Sequence, residues 1–318
     1  MTSRFHDLEN LVRQNGNVAS RARLEGRGIA PAHIDAVRRF GALTALRRGI
    51  YAVPEADVDQ RRAVALGGRL GCISALRRAG IWGGMDSALH VHVPETSSRL
   101  HLAEVIPFGR DPSVARTDKT FWAEPGQPRV HWQKPTRALP GWGSEWLVDP
   151  LEALRQAALC LDDEHAIAAI DSAFHRRVLQ SGHLDCLFAR LPERLSRLRG
   201  ELDFAADSGP ESVVRVRMRR AGFTVEPQMA IPGSSDLDLL INGVVGLDID
   251  SLSWHSGAKQ VSYDYSKTLQ SFALGLPTLR ILPHHIFECW PSTFAAISRL
   301  VSDTTELHRL RSRFRRLG

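Results

Sequence analysis

The stretch DLDLLINGVVGLDIDSLSWHSGAKQVSYD, residues 236–264, decides the fold of the C-terminal part of the chain. Two apolar runs flank the pair Asn242-Gly243, and such a pair between apolar runs is a strong signal for a β-hairpin. Antiparallel strands place residues that are equidistant from the turn opposite each other. The sequence therefore predicts that Asp238 and Asp248 are cross-strand neighbours.

A third carboxylate, Asp250, is predicted to share a sheet face with Asp248, because alternate residues of a strand point to the same side. Carboxylates this close repel each other unless a cation lies between them. Mg²⁺ binds a few carboxylates together with water and phosphate oxygens, and Mn²⁺ accepts the same ligands. We therefore predict a Mg²⁺ site, with Mn²⁺ as an alternative ion, at Asp238 and Asp248, of the kind that serves phosphodiester hydrolysis.

The segments around the hairpin extend this prediction to a whole domain. The predicted elements are a helix from Ser208 to about Ala221, strands over 223–231, 236–241 and 244–250, a helix over 261–275 and a strand over 278–282. This αβββαβ order is that of the restriction-endonuclease core. The ordered motifs within it resemble the very-short-patch-repair (Vsr)-like branch of the PD-(D/E)XK nucleases over about 80 residues.

The resemblance assigns roles to individual residues. Glu211 matches the helix glutamate of that branch, and Asp238 matches its metal-binding aspartate. Asp248 stands where a glutamate is usual, and Asp250 matches the aspartate of the E-x-D-G motif, whose glycine is Ser251 here. The resemblance implies that Asp250 is a catalytic residue, either as a second metal ligand or as a holder of His255. The shorter Asp248 moves the carboxylate, and small displacements of this kind reduce catalytic rates. A simpler interpretation of Glu211 is a helix cap, because it follows Ser208 at capping-box spacing.

Further matches lie downstream. His255 matches a histidine that would assist proton transfer, Asp264 with Lys267 matches a helical D-x-x-R/K pair, and Arg280 matches an arginine on the last strand. The resemblance implies that Lys267 or Arg280 stabilises charge on the phosphate. Asp264 and Lys267 also fit a plain surface pair, since residues three apart on a helix are neighbours.

The N-terminal 50 residues predict a second fold. Helices are predicted over 6–14, 18–26 and 31–39, followed by a hairpin over 41–53. Three helices and a hairpin make a winged helix-turn-helix. In that fold the third helix enters the major groove and the wing contacts phosphates.

This arrangement predicts a DNA-binding surface, because residues 1–50 contain nine arginines and only four acidic residues. Its predicted members are His33, Arg38, Arg39, Arg47 and Arg48. A winged helix that binds protein instead is the alternative interpretation.

The run containing LRRGIYAVP, residues 46–54, resembles the N-terminal winged-helix domain of AbiEi-type antitoxins, over roughly the first 55 residues. The resemblance implies DNA binding and a protein partner from a toxin-antitoxin or phage-defence system.

The middle of the chain carries weaker signals. His90 and His92 alternate with valines, which predicts one face of a strand, and an exposed edge strand explains such a pair more simply than zinc does. Four widely spaced cysteines without a CxxC pair argue against a structural zinc site and against disulfides. They are Cys72, Cys160, Cys186 and Cys289, and we expect inert thiols.

These patterns predict a multidomain protein of mixed α+β and α/β class. The predicted divisions are a winged helix over 1–86, a β-rich segment over 87–149, a helical connector over 150–206, a nuclease domain over 207–300 and a basic tail over 301–318.

Composition favours a polyanionic partner. The net charge is +6, the pI is near 9.5, and residues 309–318 carry five arginines without an acid. No signal peptide or membrane-length apolar run is present, so the expected compartment is the cytoplasm.

The leading hypothesis is a Mg²⁺-dependent DNA endonuclease in phage defence, toxin-antitoxin biology or DNA repair, for which cleavage of both strands would favour a homodimer. The alternative is a non-catalytic, antitoxin-like DNA-binding regulator with a degenerate nuclease fold. A third is a protein-interaction module whose arginine excess reflects genome composition.

Overall fold

A computed structural model describes residues 2–97, 100, 127–134, 143–250 and 267–315. The chain divides into two compact units, each built from two segments. Unit 1 comprises Met1–Asp162 with Val178–Leu195, and unit 2 comprises Asp163–Arg177 with Ser196–Gly318. Both units combine helices with small sheets, so the predicted mixed α/β class is confirmed.

Unit 1 begins with a small helical and sheet layer. Its elements are α1 (Thr2–Gln14), β1 (Val18–Ser20), α2 (Arg21–Gly26), α3 (Pro31–Arg39), β2 (Thr44–Arg47) and β3 (Ile50–Ala52). The three strands form an antiparallel sheet in the order β1-β3-β2. Apolar residues at helical spacing in α1 and α3 are buried together with residues of α2 and β3, and they include Leu8, Val12, Leu24, Ile34 and Val37.

One predicted boundary in this segment is wrong. The sequence predicts one helix over residues 18–26, but Val18–Ser20 forms β1 and only Arg21–Gly26 is helical. The physical reason is that Val18 and Ala19 are fully buried and pair with β3. Ser20 then ends the strand and caps α2, because its Oγ accepts the amide of Arg23 at 3.1 Å. The predicted helices near 6–14 and 31–39 and the predicted hairpin are confirmed.

The rest of unit 1 contains a second sheet packed against helices. Its elements are α4 (Val58–Leu66), β4 (Arg69–Leu70), α5 (Cys72–Arg78), β5 (His90–Pro94), β6 (Arg129–Gln133), α6 (Pro150–Cys160) and α8 (Gly182–Phe188). The strand order is β4-β5-β6, with β4 antiparallel and β6 parallel to β5.

The prediction that His90 and His92 lie on the exposed face of an edge strand is wrong. β5 is the central strand of its sheet, and both side chains are buried. Gln156 of α6 lies over this face, with its Nε2 at 3.0 Å from Nδ1 of His92. The alternation predicts the strand correctly, but a helix covers the polar side of that strand.

Unit 2 is built around one four-stranded sheet. Its elements are α7 (Asp163–His175), a 3₁₀ helix (Glu193–Glu201) that begins in unit 1, α9 (Gly209–Arg220), β7 (Val225–Met229), β8 (Leu237–Ile241), β9 (Val245–Ile249), the helical residues 267–273 (α10), β10 (Thr278–Ile281), α11 (Pro283–Phe287) and α12 (Trp290–Arg315). The strand order is β10-β9-β8-β7, and only β10 runs parallel to its neighbour. The four predicted strands and the helix beginning after Ser208 are confirmed, whereas residues 261–266 of the predicted helix lie outside the described residues.

The C-terminal boundary needs a correction. The sequence predicts a separate basic tail over residues 301–318, but α12 runs unbroken from Trp290 to Arg315, so a boundary at residue 300 falls inside one helix. The buried stripe of Ile297, Val301 and Thr304 continues across that point at helical spacing. No described helix is long and apolar enough to cross a membrane.

A buried ion pair joins α7 to α9 within unit 2. Both side chains are fully buried, and Nη2 of Arg215 lies 2.6 Å from Oδ2 of Asp171. Asp171 also accepts the Ser212 hydroxyl at 3.0 Å and the Asp203 amide at 2.9 Å. Arg215 donates again to the Glu201 carbonyl at 2.8 Å. Removing either partner would therefore leave a charge buried without compensation.

We predict that Asp171→Ala lowers the free energy of unfolding by about 3–5 kcal/mol, because Arg215 would stay buried without its partner. Chemical denaturation monitored by circular dichroism measures the change. The double variant Asp171→Leu/Arg215→Met should recover much of the loss, since no charge remains to be solvated. Equal loss in the single and double variants would contradict this account.

Candidate functional site

The hairpin of β8 and β9 is fixed by its turn. Asn242 and Gly243 both adopt positive φ, 50° and 68°, as the tightest hairpin turns require. The Asn242 side chain also accepts the Thr224 amide at 2.8 Å, which ties the turn to the chain entering β7. The turn therefore sets the register of the strands that carry the acidic residues.

This register brings Asp238 and Asp248 together as predicted. Leu239 pairs with Leu247, so the next pair away from the turn is Asp238 with Asp248. The approach is close, because Oδ2 of Asp238 accepts the amide of Ile249 at 2.6 Å. The two carboxylates thus occupy one face at the open end of the hairpin.

Glu211 approaches the same place from α9. It is buried, and its Oε2 accepts the Asp207 amide and the Gln228 side-chain amide, both at 2.9 Å. Gln228 has a φ of 55°, a strained value for this residue type, and the β7–β8 register places it beside Asp238. Ser208 caps the helix as expected, but Glu211 is also oriented by a neighbouring strand, so it does more than cap.

Lys267 of α10 completes the group, and we call Glu211, Asp238, Asp248 and Lys267 the acidic cluster. Nζ of Lys267 lies 2.7 Å from Oδ1 of Asp248, and both side chains are largely buried. The alternative of a plain surface pair for Lys267 is therefore wrong, because its partner is a buried strand carboxylate. One lysine faces three carboxylates, so the cluster carries excess negative charge when all are ionised.

Burial and the neighbouring carboxylates both affect the pKa of Asp238. Burial raises the pKa of Asp238 to about 7, and the nearby charges of Glu211 and Asp248 act in the same direction. The Ile249 amide and Lys267 oppose the shift. Burial likewise raises the pKa of Glu211. These shifts indicate that the protein groups alone leave the negative charge undercompensated.

Asp250 and Arg280 form a separate pair beside the acidic cluster. Nη2 of Arg280 lies 2.9 Å from Oδ1 of Asp250, and both side chains are partly exposed. Arg280 of β10 is the register partner of Asp248, so the pair lies at the same end of the sheet. Asp250 is thus held by an arginine, whereas Asp238 and Asp248 belong to the cluster. His255 and Asp264 lie outside the described residues.

The predicted DNA-binding residues of unit 1 differ in their exposure to solvent. Arg38 and Arg39 at the end of α3 and Arg48 in the hairpin turn lie at the surface, and His33 is half-buried. Arg47 is directed to the protein instead, because its Nη1 donates to the carbonyl of Gly67 at 3.1 Å. Burial accordingly lowers the pKa of Arg47. Arg47 is therefore less accessible to a phosphate than Arg38, Arg39 and Arg48.

The sequence did not predict a second cluster of side chains that could bind a metal ion. Cys72, His90, His131 and Cys160 come together in the interior of unit 1. The CxxC spacing rule does not detect this cluster, because the four residues come from four separate elements. The only usable signal was the His-x-His alternation in β5.

Comparisons with known proteins give no family assignment. No family model matches the chain, and no curated protein matches it in sequence. A functional assignment therefore depends on the chemistry of the two clusters and of the exposed arginines.

The raised pKa of Asp238 has a measurable consequence for stability. In the absence of metal, the folded protein keeps the Asp238 proton up to about pH 7, whereas the unfolded chain releases it near its ordinary pKa of 3.8. The folded state therefore binds more protons in this interval, and its stability falls as pH rises. Asn mimics the protonated form. We predict that the difference in free energy of unfolding between Asp238→Asn and the wild type shifts in favour of the variant by about 2–3 kcal/mol from pH 5 to pH 8.

Denaturant titrations in EDTA at the two pH values test this prediction, with Asp236→Asn, at an exposed position two residues away, as the matched control. A difference between Asp238→Asn and wild type that does not change with pH would contradict it.

Proposed function

We propose that this protein is a metal-dependent DNA endonuclease that a winged helix in unit 1 directs to DNA. The observation that carries the proposal is the convergence of Glu211, Asp238, Asp248 and Lys267 at one end of a four-stranded sheet. Clusters of perturbed carboxylates beside a cationic side chain are typical of functional sites.

The arrangement of unit 2 supports the nuclease part. Within residues 209–281 the helix-strand-strand-strand-helix-strand order, with one parallel strand added to an antiparallel sheet, is consistent with the order expected of a restriction-endonuclease core. The residues that the resemblance to Vsr-like nucleases assigns to the site include all four that form the acidic cluster. We therefore interpret unit 2 as a nuclease domain of the PD-(D/E)XK type.

The donor set of the acidic cluster fits Mg²⁺, and Mn²⁺ equally. Carboxylate oxygens are the ligands that these hard cations prefer, and Asp238 and Asp248 are the residues that would hold the ion. The raised pKa of Asp238 fits a site suited to an added positive charge. When bound, such an ion would act as a Lewis acid on the phosphate and would lower the pKa of water.

The protein groups have distinct tasks in this proposal. Glu211 is oriented by Gln228 and adds negative charge next to Asp238. Lys267, held against Asp248, places a cation where charge develops on the phosphate. Asp250 and Arg280 would line the route of the DNA strand. A proton-transfer role for His255 follows from the resemblance alone.

The nuclease proposal predicts that purified protein cleaves supercoiled plasmid DNA in Mg²⁺ or Mn²⁺ and not in EDTA. Asp238→Ala should lower the cleavage rate more than about 100-fold, because removal of even an outer-sphere partner costs roughly 10- to 100-fold at metal sites. Asp236→Ala is the control, since Asp236 is an exposed neighbour in the same segment. Equal cleavage by both variants would assign the activity to a contaminant or to another site.

Unit 1 supplies the DNA-binding part of the proposal. Its helices, sheet order and hairpin fit a winged helix-turn-helix, in which α3 would enter the major groove. Arg38 and Arg39 lie at the surface at the end of that helix, and Arg48 lies at the tip of the wing. These exposed arginines support binding to DNA through its phosphates. The proposed biological role is antitoxin-like regulation or phage defence.

Phosphate binding makes affinity salt-dependent, which allows a second test. We predict that Arg38→Gln/Arg39→Gln weakens duplex DNA binding and reduces the slope of log K against log salt by about one for each phosphate that is no longer neutralised. Fluorescence anisotropy at several salt concentrations measures the slope. Arg194→Gln removes an exposed arginine of the same unit and should leave the slope nearly unchanged. An unchanged slope in the double variant would favour a protein-binding winged helix.

One observation favours a second candidate function. Oδ1 of Asp248 is already paired with Lys267, and this carboxylate is one methylene shorter than the glutamate usual at its position. A metal-binding position whose carboxylate is already paired with a lysine suits a non-catalytic DNA-binding regulator. In that case salt-sensitive binding would persist in EDTA and in Asp238→Ala, without cleavage in either metal.

A further inference from the structure

The interior of unit 1 contains four groups that are soft metal ligands. Cys72, His90 and His131 are fully buried, and Cys160 is 7% exposed. One ligand atom of each residue lies within 4.8 Å of one ligand atom of every other. This cluster, which we call the Cys/His cluster, belongs to unit 1 and shares no residue with the acidic cluster.

The fold brings the four residues from four separate elements. His90 begins β5 and His131 lies in β6, and the parallel register places His131 beside His92, two residues beyond His90. Cys72 begins α5 and Cys160 ends α6. Two strands and two helices are therefore joined at this one point.

The backbone at Cys72 is held in an unusual conformation. Its φ is 47°, which is costly for a residue with a side chain. Its amide donates to Oε1 of the buried Gln156 at 2.8 Å, and Gln156 also contacts His92. The helix that carries Cys160 thus also fixes the start of the helix that carries Cys72.

The two histidines have the geometry of metal ligands with an outer partner. Nδ1 of His90 lies 3.0 Å from Nε2 of His131, which is close enough for both atoms to bind one zinc ion at Zn–N distances of about 2.0–2.1 Å. The other nitrogen of His90 lies 3.4 Å from Oδ2 of Asp86, which Arg129 holds at 2.8 Å. A carboxylate behind a ligating histidine is the usual outer-sphere arrangement.

We propose that Cys72, His90, His131 and Cys160 bind one zinc ion. Two thiolates and two imidazoles are a complete tetrahedral ligand set, and a set with no open position is structural rather than catalytic. The ion would cross-link α5, β5, β6 and α6 and compensate the polar groups buried beneath the two helices.

Two metal-free states compete with this proposal. A proton shared between His90 and His131 would pair one nitrogen of each ring but would leave Nδ1 of His131 buried without a hydrogen-bond partner, beside two buried thiols. A disulfide between Cys72 and Cys160 would consume the thiols instead. Only the zinc-bound state has two cysteine thiolates bonded to a metal, so detection of metal–thiolate bonds distinguishes it from both metal-free states.

The primary experiment uses the full-length wild-type protein, purified without chelator under reducing conditions. We expect about one zinc per chain by mass spectrometry of the metal content. Replacement by Co²⁺ should give visible d–d bands and near-ultraviolet thiolate-to-cobalt charge transfer with the intensity of two thiolates and tetrahedral geometry. Removal of zinc with a chelator should lower the melting temperature, and added zinc should restore it.

Matched variants locate the site. Cys160→Ser should reduce the thiolate-to-cobalt charge-transfer absorption to the intensity of one thiolate. Cys186→Ser, at an exposed cysteine of the same unit, should retain the full spectrum. Asp86→Asn should weaken zinc affinity roughly 10- to 100-fold through His90. Asp238→Ala should leave the zinc content unchanged, so the outcome is independent of the nuclease proposal.

Two results would overturn the proposal. One is wild-type protein with reduced thiols that neither contains zinc nor gives the cobalt spectrum. The other is a Cys72–Cys160 disulfide found by peptide mapping in protein that cannot bind zinc after reduction. Both rest on the wild-type chain, so a variant that fails to fold does not affect them.

Discussion

The antiparallel pairing of β8 with β9 is the constraint on which the candidate site in unit 2 depends. The turn at Asn242-Gly243 sets the register, and the register places Asp238 opposite Asp248. A shift by one residue would turn one of the two carboxylates to the apolar side of the sheet. The other members of the acidic cluster, Glu211 and Lys267, come from helices and are oriented by contacts with this framework.

Both units bury polar groups near the ends of strands, but with opposite chemistry. In unit 2 these are hard carboxylate oxygens, and their charge exceeds that of the one lysine beside them. In unit 1 they are cysteine sulfur and histidine nitrogen atoms, which are softer ligands. The first set suits an exchangeable hard cation that takes part in a reaction, and the second suits a tightly held zinc ion that stabilises the fold. Buried polar groups are costly without partners, and this cost is the common physical basis of the two metal proposals.

Local patterns predicted much of the fold and part of the site. The hairpin of unit 2, the helix after Ser208 and the helices of the first segment were predictable because turn residues, caps and apolar periodicity act over a few residues. The failures have a common cause. Val18–Ser20 became a strand because β3 was available to pair with it, and His90 and His92 were buried because α5 and α6 cover them. Neither partner is adjacent in sequence.

The sequence by itself determined the hairpin, the opposition of Asp238 and Asp248, and the identity of the acids, because the register follows from a two-residue turn. Only the tertiary structure decided that Lys267 neutralises Asp248, that Arg47 faces Gly67 rather than solvent, and that four distant cysteines and histidines converge in unit 1. These outcomes depend on which elements pack together. Packing is a property of whole faces and buried surface, so residue spacing along the chain does not encode it.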